Sequence, residues 1–152
     1  MIIQTIAAFF ATIFFSILFN VNKTQLFLCG FVGASGWFTY LLSLSFGINT
    51  VVSSFLASFI VSIFSTILAI NRKNPVTIYQ IPGIIPIVPG AGMYKALFYL
   101  INDELYVASE YLVETIQIAA TIALAMLTVY SIRQLLDKIK IYKYKNAKIN
   151  TK

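Results

Sequence analysis

Histidine is absent from this chain of 152 residues. That removes imidazole metal ligands, Ser-His-Asp triads and Ser-His dyads together. Cysteine occurs once, at Cys29, so no disulfide framework forms within the chain and no redox compartment is indicated. Charged residues make up only 11% of the sequence, against about 25% in a soluble domain. Side-chain charge is missing altogether from Met1–Asn22 and from Thr24–Asn71, the latter a run of 48 residues. One membrane span takes about 20 apolar residues, so the longer run holds two spans joined by a tight turn, placed at Phe46-Gly47-Ile48-Asn49. The first apolar run lacks a basic segment before it and a small-x-small cleavage site after it. It therefore reads as a retained span rather than a signal peptide. Clustered metal ligands are lacking too, as is a serine beside Lys95 for a Ser-Lys dyad. No metal, no cofactor and no enzymatic activity is expected.

What the chain does hold is apolar: 59% of its residues are hydrophobic and its mean hydropathy is +0.86. The fold class expected is an all-α polytopic membrane bundle. Residues 1–135 form the transmembrane domain and residues 136–152 a basic cytoplasmic tail. Eleven basic residues outnumber five acidic ones, and their placement sets the topology. Arg133, Lys138, Lys140, Lys143, Lys145, Lys148 and Lys152 close the chain, Lys23 follows the first span, and Arg72 and Lys73 follow the third. Asp103, Glu104, Glu110 and Glu114 gather before the last span. The positive-inside rule puts the basic groups in the cytoplasm. Spans at about 2–19, 24–46, 49–70, 75–101 and 112–132 satisfy it, giving five crossings with the N-terminus outside and the C-terminus inside. The alternative is four crossings with 75–101 as a re-entrant loop, which would leave the basic tail outside. The tail itself reads as a stop signal drawn to anionic headgroups rather than a nucleic-acid patch, with Asn146–Lys152 frayed.

Proline is scarce, yet Pro82, Pro86 and Pro89 fall within one apolar stretch, Ile81–Lys95, together with Gly83, Gly90 and Gly92. Lipid demands that backbone polar groups bond within the segment. Proline cannot donate, and in a helix these three would strand the carbonyls of Ile78, Pro82 and Ile85. Such a break at membrane depth is tolerated where protein or a cavity receives the freed groups. A short helix over Met93–Ile101 would be roughly 13 Å long, near half of the ~30 Å hydrocarbon core. The Gly90-Ala91-Gly92 break then falls near the midplane, its free N–H groups facing the interior as a seat for a carboxylate. The carbonyls freed by Pro82, Pro86 and Pro89 would accept from an ammonium group or hold a cation, making Pro82–Pro89 a hinge or cavity lining. Lys95 in that helix serves the seat as a second positive group, or snorkels to the interface or pairs with Glu114. Tyr94 either hydrogen-bonds substrate or belongs to helix packing.

Other signals lean toward packing. Gly30, Gly33 and Gly36 make a smooth patch on the second span, and small residues let membrane helices approach. Ser54, Ser58, Ser62, Ser65 and Thr66 form a stripe that reads equally as packing surface and polar pathway. Trp37 is expected in a core or cavity, and Asn20, Asn22 and Asn49 at span ends as caps or as gates to a cavity. Glu110 and Glu114 share a helix face with Gln117 a turn deeper; they form a proton path or entrance, or are ordinary solvated charge.

The segments FNVNKTQLFLCGFVGASGW (Phe19–Trp37), GINTVVSSFLAS (Gly47–Ser58) and IPGIIPIVPGAGMYKAL (Ile81–Leu97) together resemble the threonine/serine exporter family. The likeness is to its small-subunit type (YjjB-like), equivalent to the C-terminal half of full-length ThrE exporters, and covers residues 1 to about 135. Its most specific element is the P-x-x-P-G core at Pro86–Gly90, followed by an aromatic at Tyr94. Where the family often has proline after F-N-V, this chain has Asn22. The resemblance implies a half-transporter in a prokaryotic inner or plasma membrane, working with a larger multi-span subunit. It implies export of threonine and serine or of dicarboxylates such as succinate, driven by the proton gradient since no nucleotide-binding motif is present. A homo-oligomer is open too, because five spans make a thin wall around a pathway. The rival reading is a structural or assembly subunit that transports nothing, with the proline-glycine segment as a packing joint.

Overall fold

A computed structural model describes the backbone of residues 1–149 and the side chains of residues 1–139. The described residues form six α-helices: α1 (Ile2–Leu18), α2 (Leu26–Ser45), α3 (Thr50–Arg72), α4 (Thr77–Ile84), α5 (Gly90–Ile101) and α6 (Leu105–Ile149). Two 3-10 turns, Lys23–Gln25 and Ile85–Ile87, lead into α2 and continue α4. No strand occurs among the described residues, so the all-α expectation holds. The residues Lys23–Ser45, Thr50–Arg72 and Leu105–Ile139 are each long and apolar enough to cross a membrane. Thr77–Ile87 and Gly90–Ile101, bent by 48°, pass the same test taken together. With its 17 residues, α1 sits at the lower limit of span length. The last helix reaches well past the expected 112–132 at both ends. The backbone is helical through Ile149, which corrects the fraying expected from Asn146 as far as that residue; Asn150–Lys152 and the side chains from Lys140 onward lie outside the described residues.

Four chain reversals are closed by one device. Asn20, Gly47, Lys73 and Asp103 all take left-handed φ angles, of 54°, 77°, 54° and 60°. In each case the next N–H bonds back five residues: Val21 to Ser16, Ile48 to Ser43, Asn74 to Ala69 and Glu104 to Tyr99. This closes the last open carbonyls of α1, α2, α3 and α5. The turn expected at Phe46–Asn49 is among them, and Asn49 caps α3 by accepting from the Val52 N–H at 2.9 Å. Asn22 accepts from the Thr24 N–H at 3.3 Å, opening the turn into α2.

The helices meet through small residues. A Cβ on Gly30 would come within 2.8 Å of Ile13, one on Gly33 would overlap the Thr12 side chain, and one on Gly36 would overlap Val61. The glycine patch is thus the surface on which α1 and α3 pack against α2. On α3, Ser53, Ser54, Ala57, Ser58, Val61, Ser62, Ser65 and Ala69 are all buried, so this face is the centre of the bundle. Buried hydroxyls turn back on their own helices: Ser54 donates to the Thr50 carbonyl at 2.8 Å and Ser62 to Ser58 at 2.8 Å, the usual local solution where water is absent. Around this centre α4 packs against α1, α2 and α3, while α6 packs against α3. The contacts of α5 are with α6, which takes it out of the bundle that holds α4.

Candidate functional site

The broken segment divides into two unlike halves. The first half stays helical through its prolines: Pro82 lies inside α4, and Pro86 sits in the 3-10 turn that follows. All three carbonyls expected to be free are taken. Cys29 donates its thiol to the Ile78 carbonyl at 3.4 Å, which compensates for the N–H that Pro82 lacks. The Ile85 N–H bonds the Pro82 carbonyl, and the Val88 N–H bonds the Ile85 carbonyl at 3.2 Å. The expectation that the proline end offers carbonyls to a cation or an ammonium group is therefore corrected. Tightening into a 3-10 turn consumes two of them, and a thiol from α2 consumes the third. Pro82 and Gly83 are buried, Gly83 because a Cβ would press on Val32 at 2.8 Å. This half is packed core.

The chain breaks at Val88 and Pro89, where ψ opens to 132° and then 53°. The helix after it begins at Gly90, three residues before the expected Met93. Its 12 residues span roughly 18 Å, so the break lies somewhat beyond the depth that nine residues would give. In its first turn the Gly90 N–H bonds Val88 at 2.8 Å and the Met93 N–H bonds Pro89 at 3.1 Å. The N–H groups of Ala91 and Gly92 have no acceptor among the described residues, as the start of a helix requires. The head of the helix does not sit in the interior, where the expected seat is placed. Gly90 and Ala91 are exposed, and a Cβ on Gly90 would meet nothing within 4 Å. The cause is that α5 leans on α6 and not on the bundle. Gly92 lies against Thr115, whose buried hydroxyl oxygen has no partner among the described residues.

The side chains that follow are outward as well. Tyr94 is 69% exposed and stacks on Phe98 with ring centres 6.2 Å apart. Lys95 forms no ion pair with Glu114 among the described residues; its ammonium lies over the Tyr111 ring at 5.2 Å from the centre. Tyr111 in turn stacks on Tyr99 at 5.6 Å. Glu110, Glu114 and Gln117 do come together, lining a shallow cleft of about 330 Å³ with Ser109 and Val113 on the exposed side of α6. Trp37 is half-buried and stacks on Tyr40 at 5.1 Å, and it lines a cleft with Pro86.

A second polar cluster escaped the sequence reading. Tyr79, fully buried, donates to Gln25 Oε1 at 2.7 Å and accepts from Asn74 Nδ2 at 3.1 Å. One residue on, Gln80 donates to Ser62 Oγ at 3.1 Å, so the α3 serine stripe is polar contact as well as packing. Ser58 and Ser65 oxygens lie buried in the same stripe without partners among the described residues. Beside this cluster a cavity of about 620 Å³ opens between α3, α4 and α6, and Arg133 and Asp137 line it. The one signal for it in the sequence is Gln80, the lone amide in an apolar run; Arg133 stands at the head of the basic tail.

A model of a known family, described as the threonine/serine exporter ThrE, matches residues 4–132. No curated protein matches the chain, and no solved structure does.

Proposed function

The chain belongs to the threonine/serine exporter ThrE family, and from that premise we propose that it is one subunit of a secondary exporter of small carboxylate-bearing metabolites. Threonine and serine are the first substrates to consider, and dicarboxylates such as succinate the second. The observation that carries this reading is the break at Val88–Pro89, which leaves two unpaired N–H groups at the head of a 12-residue helix. An N-terminus of this kind favours negative charge through its open donors and its dipole. Gly90, Ala91 and Gly92 form the seat, with Tyr94 beside it and Lys95 one turn on, its charge held by Tyr111.

The exposure of that seat argues for a partner. Open donors facing lipid are unfavourable by several kcal/mol each, so a larger membrane subunit, or a second copy of this chain, covers the α5 side and completes the pathway. Pro82, Gly83, Pro86 and Pro89 make the rigid arm on which the seat is mounted. A bend of 48° leaves the second half running onward instead of folding back, which supports a full crossing, five spans and a basic end in the cytoplasm of a prokaryotic cell. Glu110, Glu114 and Gln117 lie in one cleft on the neighbouring helix and serve as the proton entrance. The rival assembly-subunit reading draws on Gly92, whose contact with Thr115 is that of a packing joint.

Export of threonine, serine and succinate from loaded cells that express the chain with its partner subunit separates these readings. Because a Cβ at Gly90 meets nothing, Gly90→Leu leaves the fold intact and reads the seat alone. The expected result is normal insertion with export reduced by about tenfold or more, because the leucine side chain obstructs a charge-assisted contact to the open N–H groups. Export at the wild-type rate by Gly90→Leu and Pro89→Ala would remove the seat.

A further inference from the structure

The cavity between α3, α4 and α6 lies at the opposite end of α4 from the break, roughly 17 Å away along the 11 residues of Thr77–Ile87. Its volume of about 620 Å³ is within the ordinary range for small-molecule sites. Its walls are chemically unusual for a chain so poor in charge. Arg133 and Asp137 both line it, with Asn74, Gln80, Thr66 and Tyr130. The two charges are barely joined: the only contact is Arg133 Nε to Asp137 Oδ2 at 3.7 Å, with Asp137 65% exposed. Such a pair contributes little by itself. Arg133 Nη1 is buried and has no hydrogen-bond partner among the described residues, an arrangement disfavoured unless something accepts from it. Gln80 spends its amide N–H on Ser62, and its Oε1 accepts from nothing among the described residues.

We infer that this cavity is a second binding site, for a small α-amino acid, with the carboxylate on the Arg133 guanidinium and the ammonium on Asp137. An α-amino acid carries its opposite charges a few ångströms apart, which matches a loosely paired guanidinium and carboxylate. The guanidinium fork suits a carboxylate in two-point contact, and Gln80 Oε1 and Thr66 supply neutral partners for a polar side chain. A dicarboxylate fits badly, since its second negative charge meets Asp137, and repulsion of the wrong ligand is a usual source of specificity. The site lies at the end bearing Arg72, Lys73 and Asn74, which is the loading end if the basic residues face the cytoplasm. It rests on the exporter reading only in taking the ligand to be a small carboxylate.

The test is equilibrium binding of radiolabelled L-threonine and succinate to the full chain, purified into nanodiscs. Wild type should bind threonine in preference to succinate. Arg133→Gln should weaken threonine binding about tenfold or more, the effect of losing a hydrogen bond to a charged group, with Arg133→Lys between the two. Asp137→Asn should narrow or reverse the preference. Thr66→Trp, which fills the cavity from α3, should block binding without touching either charge, and unfolding midpoints close to wild type confirm that the variants fold. Wild type that binds no threonine, or Arg133→Gln and Asp137→Asn that bind it unchanged, overturns the site. If export by the two-subunit complex persists while this site fails, the exporter reading stands alone. If threonine still binds here while export is absent, the exporter reading fails and the site remains.

Discussion

The two halves of the broken span share one stretch of sequence and solve opposite problems. Pro82 and Pro86 before Val88, and Pro89 just after it, delete donors, yet the carbonyls of Ile78, Pro82 and Ile85 are each bonded, the first by Cys29 and the others by a tightened turn. After Pro89, no donor has been deleted, yet Ala91 and Gly92 keep N–H groups that nothing accepts from. Proline therefore stiffens the half that is closed, and glycine leaves room at the half that is open. Helix breakers in a membrane segment do not by themselves locate a site. What locates it is the half whose backbone groups stay unpaired.

The contrast can be broken most forcefully with one substitution made in both halves. A Cβ on Gly83 presses on Val32 and Val61, and one on Gly36 overlaps Val61. Gly83→Val and Gly36→Val should destabilise the purified protein by about 1–3 kcal/mol or more, as overpacking does, whereas Gly90→Val should leave the unfolding midpoint in detergent nearly unchanged. Equal losses at Gly83 and Gly90 would erase the distinction. A smaller effect is expected from Tyr79→Phe, which removes the hydroxyl that bonds both Gln25 and Asn74. Leaving those amides unpaired should cost about 1–3 kcal/mol in the same measurement. Cys29→Ala should cost least, about 1 kcal/mol or less, since a thiol is a weak donor.

Much of the fold was legible because its causes are local or compositional. Charge-free runs gave the apolar helices, the Gly30/Gly33/Gly36 spacing gave the α2 surface on which α1 and α3 pack, and Gly47 with Asn49 gave a turn and a cap. The left-handed residues Asn20, Lys73 and Asp103 were not legible as such, because a helix can close through a non-glycine residue when tertiary packing insists on the reversal. The break was legible as a region but not to the residue. Pro82 looks helix-breaking in sequence, and only the nearby Cys29 thiol shows why α4 continues through it. The direction in which Gly90 faces depends on α5 leaning on α6, a contact that no periodicity in residues 90–101 announces. Arg133 is not legible as a site residue because it sits at the head of a run of basic residues, and its distinction lies in lining one cavity with Gln80 of α4, Asn74 of the loop before it and Asp137 of its own helix.

The most direct measurement of the central claim is thiol labelling of single cysteines placed in the two halves, in a Cys29→Ala background and in the assembled two-subunit complex. Ala91→Cys at the open head of α5 should react with a small water-soluble thiol reagent, and threonine should slow that reaction, while Ile84→Cys in the closed half should stay unreactive throughout. Equal reactivity at the two positions, or labelling at Ala91→Cys that is indifferent to threonine, serine and succinate alike, would contradict the assignment of the open half as the substrate seat.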